Sequence, residues 1–182
     1  MQLRNSKTGF GLVAQLLHWL IAALILGQFV LARLAADATF FERLVLLSRH
    51  KSLGMTILAL TILRLIWRLT NPRPSTPHEL PRYQHLIART SHDLMYFLIF
   101  AIPLTGWAMS SALNTPVSYF GLFAWPNLVA PDQQLGERLA RTHGGLFAVL
   151  AGVVCLHAGA ALYHHFVARN NVLRRMIPGV SP

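Results

Sequence analysis

The chain has 182 residues, of which 54% are hydrophobic and only 12% are charged, whereas about a quarter of the residues in an ordinary soluble domain are charged. This composition argues against a water-soluble globular protein. The net charge of +10 does not indicate nucleic-acid binding, because the basic residues are spread through connections between apolar segments and form no aromatic-interleaved patch.

Long uncharged runs predict the membrane spans. Three runs cover residues 8–32, 94–131 and 142–168, with lengths of 25, 38 and 27 residues, and roughly 18 suffice to suspect a span. A shorter run over 52–63 has basic residues at both ends that can reach lipid headgroups. We therefore predict an all-α membrane protein, a four-transmembrane-helix bundle that forms a single integral-membrane domain over residues 1–182. The spans are placed near residues 10–33, 45–69, 84–111 and 139–168.

The connections between these spans have distinct compositions. Three prolines between residues 72 and 77 predict an extended connection between spans two and three. Pro103 lies within span three and is expected to bend it. The segment 114–131 contains Tyr119 and Trp125, whose rings suit an ordered loop at the outer membrane interface.

Basic residues divide unequally between the two sides of this topology. The excess of Lys and Arg lies on the cytoplasmic side of a membrane protein, so we predict that both termini are cytoplasmic. The ten basic residues on the side of the termini are Arg4, Lys7, Arg64, Arg68, Arg73, Arg82, Arg89, Arg169, Arg174 and Arg175. The six on the other side, where four acids accompany them, are Arg33, Arg43, Arg49, Lys51, Arg138 and Arg141.

Histidines within the spans are the candidate functional residues, because ionisable groups inside a membrane are costly and usually functional. His143 and His157 lie 14 residues apart on span four, which brings them to within about 40° of the same helix face and separates them by roughly 21 Å along the axis. In a hydrocarbon core about 30 Å thick, one lies near each surface. The spacing predicts two cofactors stacked across the bilayer.

A six-coordinate haem iron needs two axial nitrogens, so each of these histidines needs a partner at equal depth on another helix. Depth pairs His50 with His143 near the outer surface and His18 with His157 toward the cytoplasm. His92 on span three lies at a depth similar to that of His18. It is therefore the rival ligand, or a group that contacts a ligand.

The expected cofactor is haem b held without covalent attachment, because Cys155 is the only cysteine and the sequence has no Cys-x-x-Cys-His pattern. Two bis-histidine centres suit electron relay rather than oxygen binding, since no axial position stays open. Cations at both membrane surfaces are placed to pair with haem propionates, although helix-end anchoring is the more common role for any one arginine. The inner group is Arg64, Arg68 and Arg89, and the outer group is Arg49, Lys51 and Arg141.

Several strings resemble the bacterial cytochrome b561 family of small four-helix dihaem membrane proteins, over residues 15–178. They are Leu-His-Trp at 17–19, His-Lys-Ser-Leu-Gly at 50–54, Arg-Leu-Ile-Trp-Arg-Leu-Thr-Asn-Pro at 64–72, Ser-His-Asp-Leu-Met-Tyr at 91–96, Pro-Leu-Thr-Gly-Trp at 103–107, His-Ala-Gly-Ala-Ala-Leu-Tyr-His-His-Phe at 157–166, Asn171 and Leu-Arg-Arg-Met-Ile-Pro at 173–178.

The resemblance implies a multi-pass protein of the bacterial inner membrane that exchanges electrons with the quinone pool. It implies haem ligation by His18, His50, His143 and His157. It also implies oxidation of superoxide at the outer face and reduction of ubiquinone. Arg49, Lys51, Arg138 and Arg141 are then placed to steer the anion, and the quinone is expected near His164 and His165 at the cytoplasmic end of span four.

Two other functions remain open at the level of sequence. The chain could be an electron-relay subunit docked to a partner oxidoreductase, with the same histidine ligands. It could also be a channel or transporter whose histidines relay protons, which would make the purified protein colourless. Activity with superoxide and quinone in the absence of any other subunit separates the first alternative from a superoxide:quinone oxidoreductase.

Overall fold

Four long helices form the membrane part of the protein. The computed structural model describes residues 2–6, 9–72, 74 and 81–179, and within them each long helix has the length and apolar composition needed to cross a membrane. The predicted all-α, four-helix membrane fold is confirmed. The helices are α1 (Leu12–Asp37), α2 (Phe40–Thr70), α3 (Arg82–Ala112) and α4 (Gln133–Phe166). A hairpin of β1 (Ser118–Tyr119) and β2 (Phe123–Ala124) joins α3 to α4, and a 3-10 turn, Arg174–Met176, follows α4.

Two helices begin earlier than the predicted spans because polar residues cap them. α2 begins at Phe40 rather than near 45, with Thr39 and Glu42 forming a capping box. α4 begins at Gln133 rather than near 139, with the Asp132 carboxylate accepting a hydrogen bond from the Leu135 backbone N–H at 3.0 Å. The predicted spans begin later because they were based on runs of uncharged residues. The helices themselves continue through the charged residues that border those runs.

The outer surfaces of the helices are apolar. Leu26, Phe97 and Leu156 expose 66%, 62% and 76% of their surface. In water this would be a large energetic penalty, at roughly 25 cal/mol per Å² of apolar area. In a bilayer the same side chains face lipid, so the exposed apolar surface agrees with a multi-pass membrane protein.

The helices pack as two pairs. α1 packs closely against α2 and α3 against α4, with a smaller contact between α2 and α3. Within the described ranges, the backbone of α4 makes at most isolated close approaches to α1 and α2. Side chains bridge these wider separations instead, as in the stacked rings of Phe29 on α1 and Phe147 on α4, with centroids 6.2 Å apart. The space between the helix pairs has room for a buried site, and the facing histidines lie there.

The loop between α3 and α4 is ordered and packs against α2. Ser52, which is fully buried, donates to the Ser118 carbonyl and accepts from the Phe120 N–H, both at 3.0 Å. Val117 packs into a cluster with Met55 and Leu58 of α2. The loop is thereby fixed on α2 within one turn of His50.

Some predicted features fall elsewhere. Most of the Pro-rich connection predicted over 71–77 lies outside the described residues, as do Lys7 and Arg73. Pro103 lies inside α3, which continues through it. The sidedness of the termini and the extent of a single domain over 1–182 stay predictions.

Candidate functional site

Two pairs of imidazole rings face each other across the helix pairs. His50 on α2 and His143 on α4 have ring centroids 6.2 Å apart, with an angle of 75° between the ring planes. His18 on α1 and His157 on α4 have centroids 6.3 Å apart, also at 75°. These are the pairs that depth matched in the sequence. The two sites have nearly the same geometry at different depths.

The separation within each pair fits a metal held between two rings. With a metal–nitrogen distance of about 2.1 Å and a ring nitrogen about 1.1 Å from its centroid, two ligating imidazoles would have centroids about 6.4 Å apart. The observed 6.2 and 6.3 Å agree with this value. The described residues contain no group of three or more His, Cys, Asp or Glu side chains that could hold a bare metal ion. Two imidazoles therefore suit a metal whose remaining ligands come from a macrocycle.

A single face of α4 carries both sites. His143 and His157 lie two seven-residue steps apart, and Leu150 lies midway between them. Leu150 is 3% exposed. A buried apolar side chain thus lies between the two histidines on this face of α4, so the two pairs of imidazole rings are separate from one another.

The His143 ring is held by α3. Its Nδ1 lies 2.9 Å from the Ile102 carbonyl and 3.4 Å from the Thr105 hydroxyl. Donation from Nδ1–H to a carbonyl leaves Nε2 unprotonated and available as a ligand, which is the usual arrangement of a metal-binding histidine. Gly106 makes room for the ring, because a Cβ there would stand 3.0 Å from His143 Cε1.

His18 and His50 are held differently. The Nδ1 atoms of both rings are buried and have no hydrogen-bond partner among the residues that the structure describes. A buried polar nitrogen without a partner is costly. Both rings therefore carry unused hydrogen-bonding capacity at the positions where ligands are expected.

His92, the predicted rival ligand, lies beside His157 rather than opposite it. Their ring centroids are 5.1 Å apart, which is about an ångström too short for a shared metal. The His92 Nδ1 lies 2.5 Å from the Ala88 carbonyl of its own helix. The geometry favours His18 as the partner of His157 and places His92 in contact with the ligand.

The inner cations have different environments. Arg64 lies partly buried over the Tyr96 ring, interacts electrostatically with His18, His92 and His157, and has no acidic partner among the described residues. Arg68 pairs with Asp93 at 3.2 Å, and Arg89 approaches the same carboxylate at 3.9 Å. Of these three inner cations, Arg64 is thus the one without an acidic partner among the described residues.

The outer cations also differ from one another. Lys51 Nζ donates to the Thr115 carbonyl at 2.9 Å, so its ammonium is tied to the outer loop. Arg49 is exposed and lines two shallow cavities of about 470 and 480 Å³ beside Phe120. Arg138 and Arg141 are exposed near the start of α4. The sequence identified these cations but not the loop contact of Lys51.

His164 and His165 lie at the end of α4. His164 continues the seven-residue series of His143 and His157, and its Nδ1 accepts a hydrogen bond from Asn170 Nδ2 at 2.8 Å. His165 packs edge-on against Phe166, with centroids 4.7 Å apart. The structure therefore places His164, rather than His165, on the face of α4 that carries the two centres.

Three contacts at the site were not predicted from the sequence. They are the Ile102 carbonyl at His143, the room that Gly106 leaves for that ring, and the hydrogen bond from Gln28 to the His50 carbonyl. A polar Gln28 inside an uncharged span was the one available signal, since such residues are rare in membrane helices without a partner.

Comparisons with known proteins identify the family. A family model described as prokaryotic cytochrome b561 matches residues 9–179. The chain is 29% identical over 182 residues to cytochrome b561 homolog 2 of Escherichia coli (strain K12), covering 97% of this chain and 95% of that protein. It is 30% identical over 165 residues to the Yersinia pestis protein named probable superoxide oxidase CybB, covering 89% and 92%. The chain therefore belongs to the prokaryotic cytochrome b561 family, as a multi-pass bacterial membrane protein of b-type haem binding and electron transfer.

Proposed function

We propose that the protein holds two b-type haems and transfers electrons from superoxide at the outer face to ubiquinone. The observation that carries this proposal is the pair of matched imidazole sites on one face of α4, with ring centroids 6.2 and 6.3 Å apart. His50 and His143 would hold the outer haem, and His18 and His157 the inner one. Each haem, when bound, would supply a one-electron carrier.

The proposed reaction balances over two superoxide anions. Two superoxide anions lose one electron each and leave as two molecules of dioxygen. One ubiquinone takes up those two electrons and two protons to form ubiquinol. The Yersinia pestis relative is named probable superoxide oxidase CybB, and this name supports superoxide as the electron donor.

At the outer face, Arg49, Lys51 and Arg141 are the proposed steering cations. Positive side chains near a binding site raise the encounter rate of a small anion, and salt screens the effect. Arg49 and Arg141 are exposed, whereas Lys51 is bound to Thr115. We therefore expect most of the salt-dependent steering to come from the two arginines.

At the inner face, the guanidinium of Arg64, which contacts Tyr96 but no acidic residue of the described part of the chain, is the proposed partner of a haem propionate. An Arg inside a membrane is costly without a counter-charge, and no acid of the described residues lies within ion-pair distance of it. His164 and His165 are the proposed quinone-side histidines, because an imidazole at this helix end can relay protons to a reduced quinone.

The test of this function uses the purified protein alone. Mixed with superoxide and a soluble ubiquinone analogue, it should form about one ubiquinol for every two superoxide anions consumed, at a rate that falls with added salt. Stable co-purification with a catalytic partner, without this activity, would instead favour the electron-relay subunit. Colourless protein would contradict both and leave the non-redox alternative.

Replacing Gly106 with alanine is expected to weaken the outer haem site. The new methyl carbon would stand 3.0 Å from His143 Cε1 and 3.2 Å from Nδ1, so the ring must give by a few tenths of an ångström, which disturbs its hydrogen bond with the Ile102 carbonyl. Disturbing a hydrogen bond that orients a ligand costs about tenfold in retention of a metal centre. Haem titration of the apoprotein would measure this.

Gly144→Ala is the matched control for that substitution. Gly144 adjoins His143 in sequence, yet a Cβ there would meet nothing within 4 Å. Haem affinity should therefore be unchanged. Equal losses in the two variants would show that glycine itself, and not the space it leaves for His143, matters.

A further inference from the structure

Gln28 is a buried polar residue of α1 that the electron-transfer chemistry does not require. It is 9% exposed, and its side-chain Nε2 donates to the His50 carbonyl on α2 at 2.9 Å. Its Oε1 is buried and has no hydrogen-bond partner among the described residues. An amide inside a membrane helix is costly unless its polar atoms have hydrogen-bond partners. If this position only packed α1 against α2, an apolar side chain would stabilise the contact better than glutamine does.

The group that Gln28 contacts, the His50 carbonyl, explains why a glutamine suits this position. The His50 carbonyl already accepts a helical hydrogen bond from Gly54, four residues on. Gly54 has no side chain to cover that carbonyl, and a Cβ there would stand 3.4 Å from Gln28 Nε2. Gln28 can therefore reach the carbonyl as a second donor, and it ties the turn of α2 that carries His50 to α1.

The His50 ring has no hydrogen bond of its own at Nδ1 among the residues that the structure describes. In the facing histidine, His143, the Ile102 carbonyl lies 2.9 Å from Nδ1 and holds the ring directly. The placement of the His50 ring therefore depends on the position of its own helical turn, and Gln28 binds the carbonyl of that turn.

We propose that Gln28 is the positioning residue of His50, holding the helical turn that carries the imidazole opposite His143 through the bond from its amide nitrogen to the His50 carbonyl. This inference rests on the proposed haem ligation. Groups that orient a metal ligand are worth about ten- to a hundredfold in metal affinity. Gln28 acts through His50 and does not itself bind the iron.

The experiment compares Gln28→Met with Gln15→Met. Methionine keeps the length of the side chain and removes both polar atoms. Gln15 is an equally buried glutamine of α1, 6% exposed, whose Nε2 donates to the Arg175 carbonyl at 3.0 Å on the inner side. It therefore controls for the loss of a buried amide on the same helix.

Low-temperature electron paramagnetic resonance and redox titration of the oxidised protein provide the readout, with His50→Ala identifying the outer haem signal. In Gln28→Met, the outer signal and its midpoint potential should shift because the turn that carries His50 is no longer tied to α1, and outer haem retention should fall about tenfold. In Gln15→Met, the outer signal should match that of the wild type.

An unchanged outer signal and unchanged haem retention in Gln28→Met would overturn the proposal. So would an equal shift in Gln15→Met, since the effect would then be general. If Gln28→Met does not accumulate as folded protein, Gln28→Asn, which is one methylene too short to reach the His50 carbonyl, is judged by the same criteria. Failure of His50→Ala to remove a haem would refute the ligand assignment itself, and so distinguishes that failure from failure of the role given to Gln28.

Discussion

Replacing His143 with alanine should lower the haem content from two per chain to one and stop electron transfer between the two faces. The substitution leaves His50 without the ring that now lies 6.2 Å away, and a haem with one axial imidazole is held more weakly and is open to exchange. Pyridine haemochrome analysis per chain measures the content, and ubiquinone reduction by superoxide should fall by at least a hundredfold.

His50→Ala should give the same result, because the two rings belong to one site. His85→Ala is the control, since His85 lies near the start of α3 and belongs to neither pair. It should retain both haems. Two haems in His143→Ala, with unaltered spectra, would show that the outer site is built from other residues.

His18→Ala should remove the inner haem, whereas His92→Ala should leave two haems bound. The centroid separation from His157 is 6.3 Å for His18 and 5.1 Å for His92, and only the longer distance accommodates a metal between the rings. Loss of the His92 ring removes a contact of His157, so a modest change in the inner haem signal is expected without loss of content. Haem quantification and low-temperature spectra of the two variants measure this.

The reverse outcome would contradict the assignment of the inner site. If His92→Ala loses a haem and His18→Ala keeps two, then His92 is the ligand and the 6.3 Å pair is a packing contact. His157→Ala should lose the inner haem in either case, which makes it the reference for the signal that disappears.

The sequence predicted the features that depend on one helix at a time. Uncharged runs identify spans because every backbone polar group in lipid must be satisfied within a helix. The 14-residue interval between His143 and His157 sets both their face and their separation, because helical geometry is regular. Counting along a span also gives depth, and the pairs predicted from depth are pairs whose rings face each other, with centroids 6.2 and 6.3 Å apart.

The sequence did not predict the contacts that depend on how the helices are rotated and packed against one another. His18 and His92 lie at similar depths, so only the lateral arrangement of α1, α3 and α4 distinguishes a ring opposite His157 from a ring beside it. The carbonyl of Ile102 at His143, the bond from Gln28 to His50 and the tie between Lys51 and Thr115 likewise join separate segments. Periodicity fixes the depth and face of a residue on its own helix, but helix rotation and packing decide which atoms meet, and that decision required the tertiary structure.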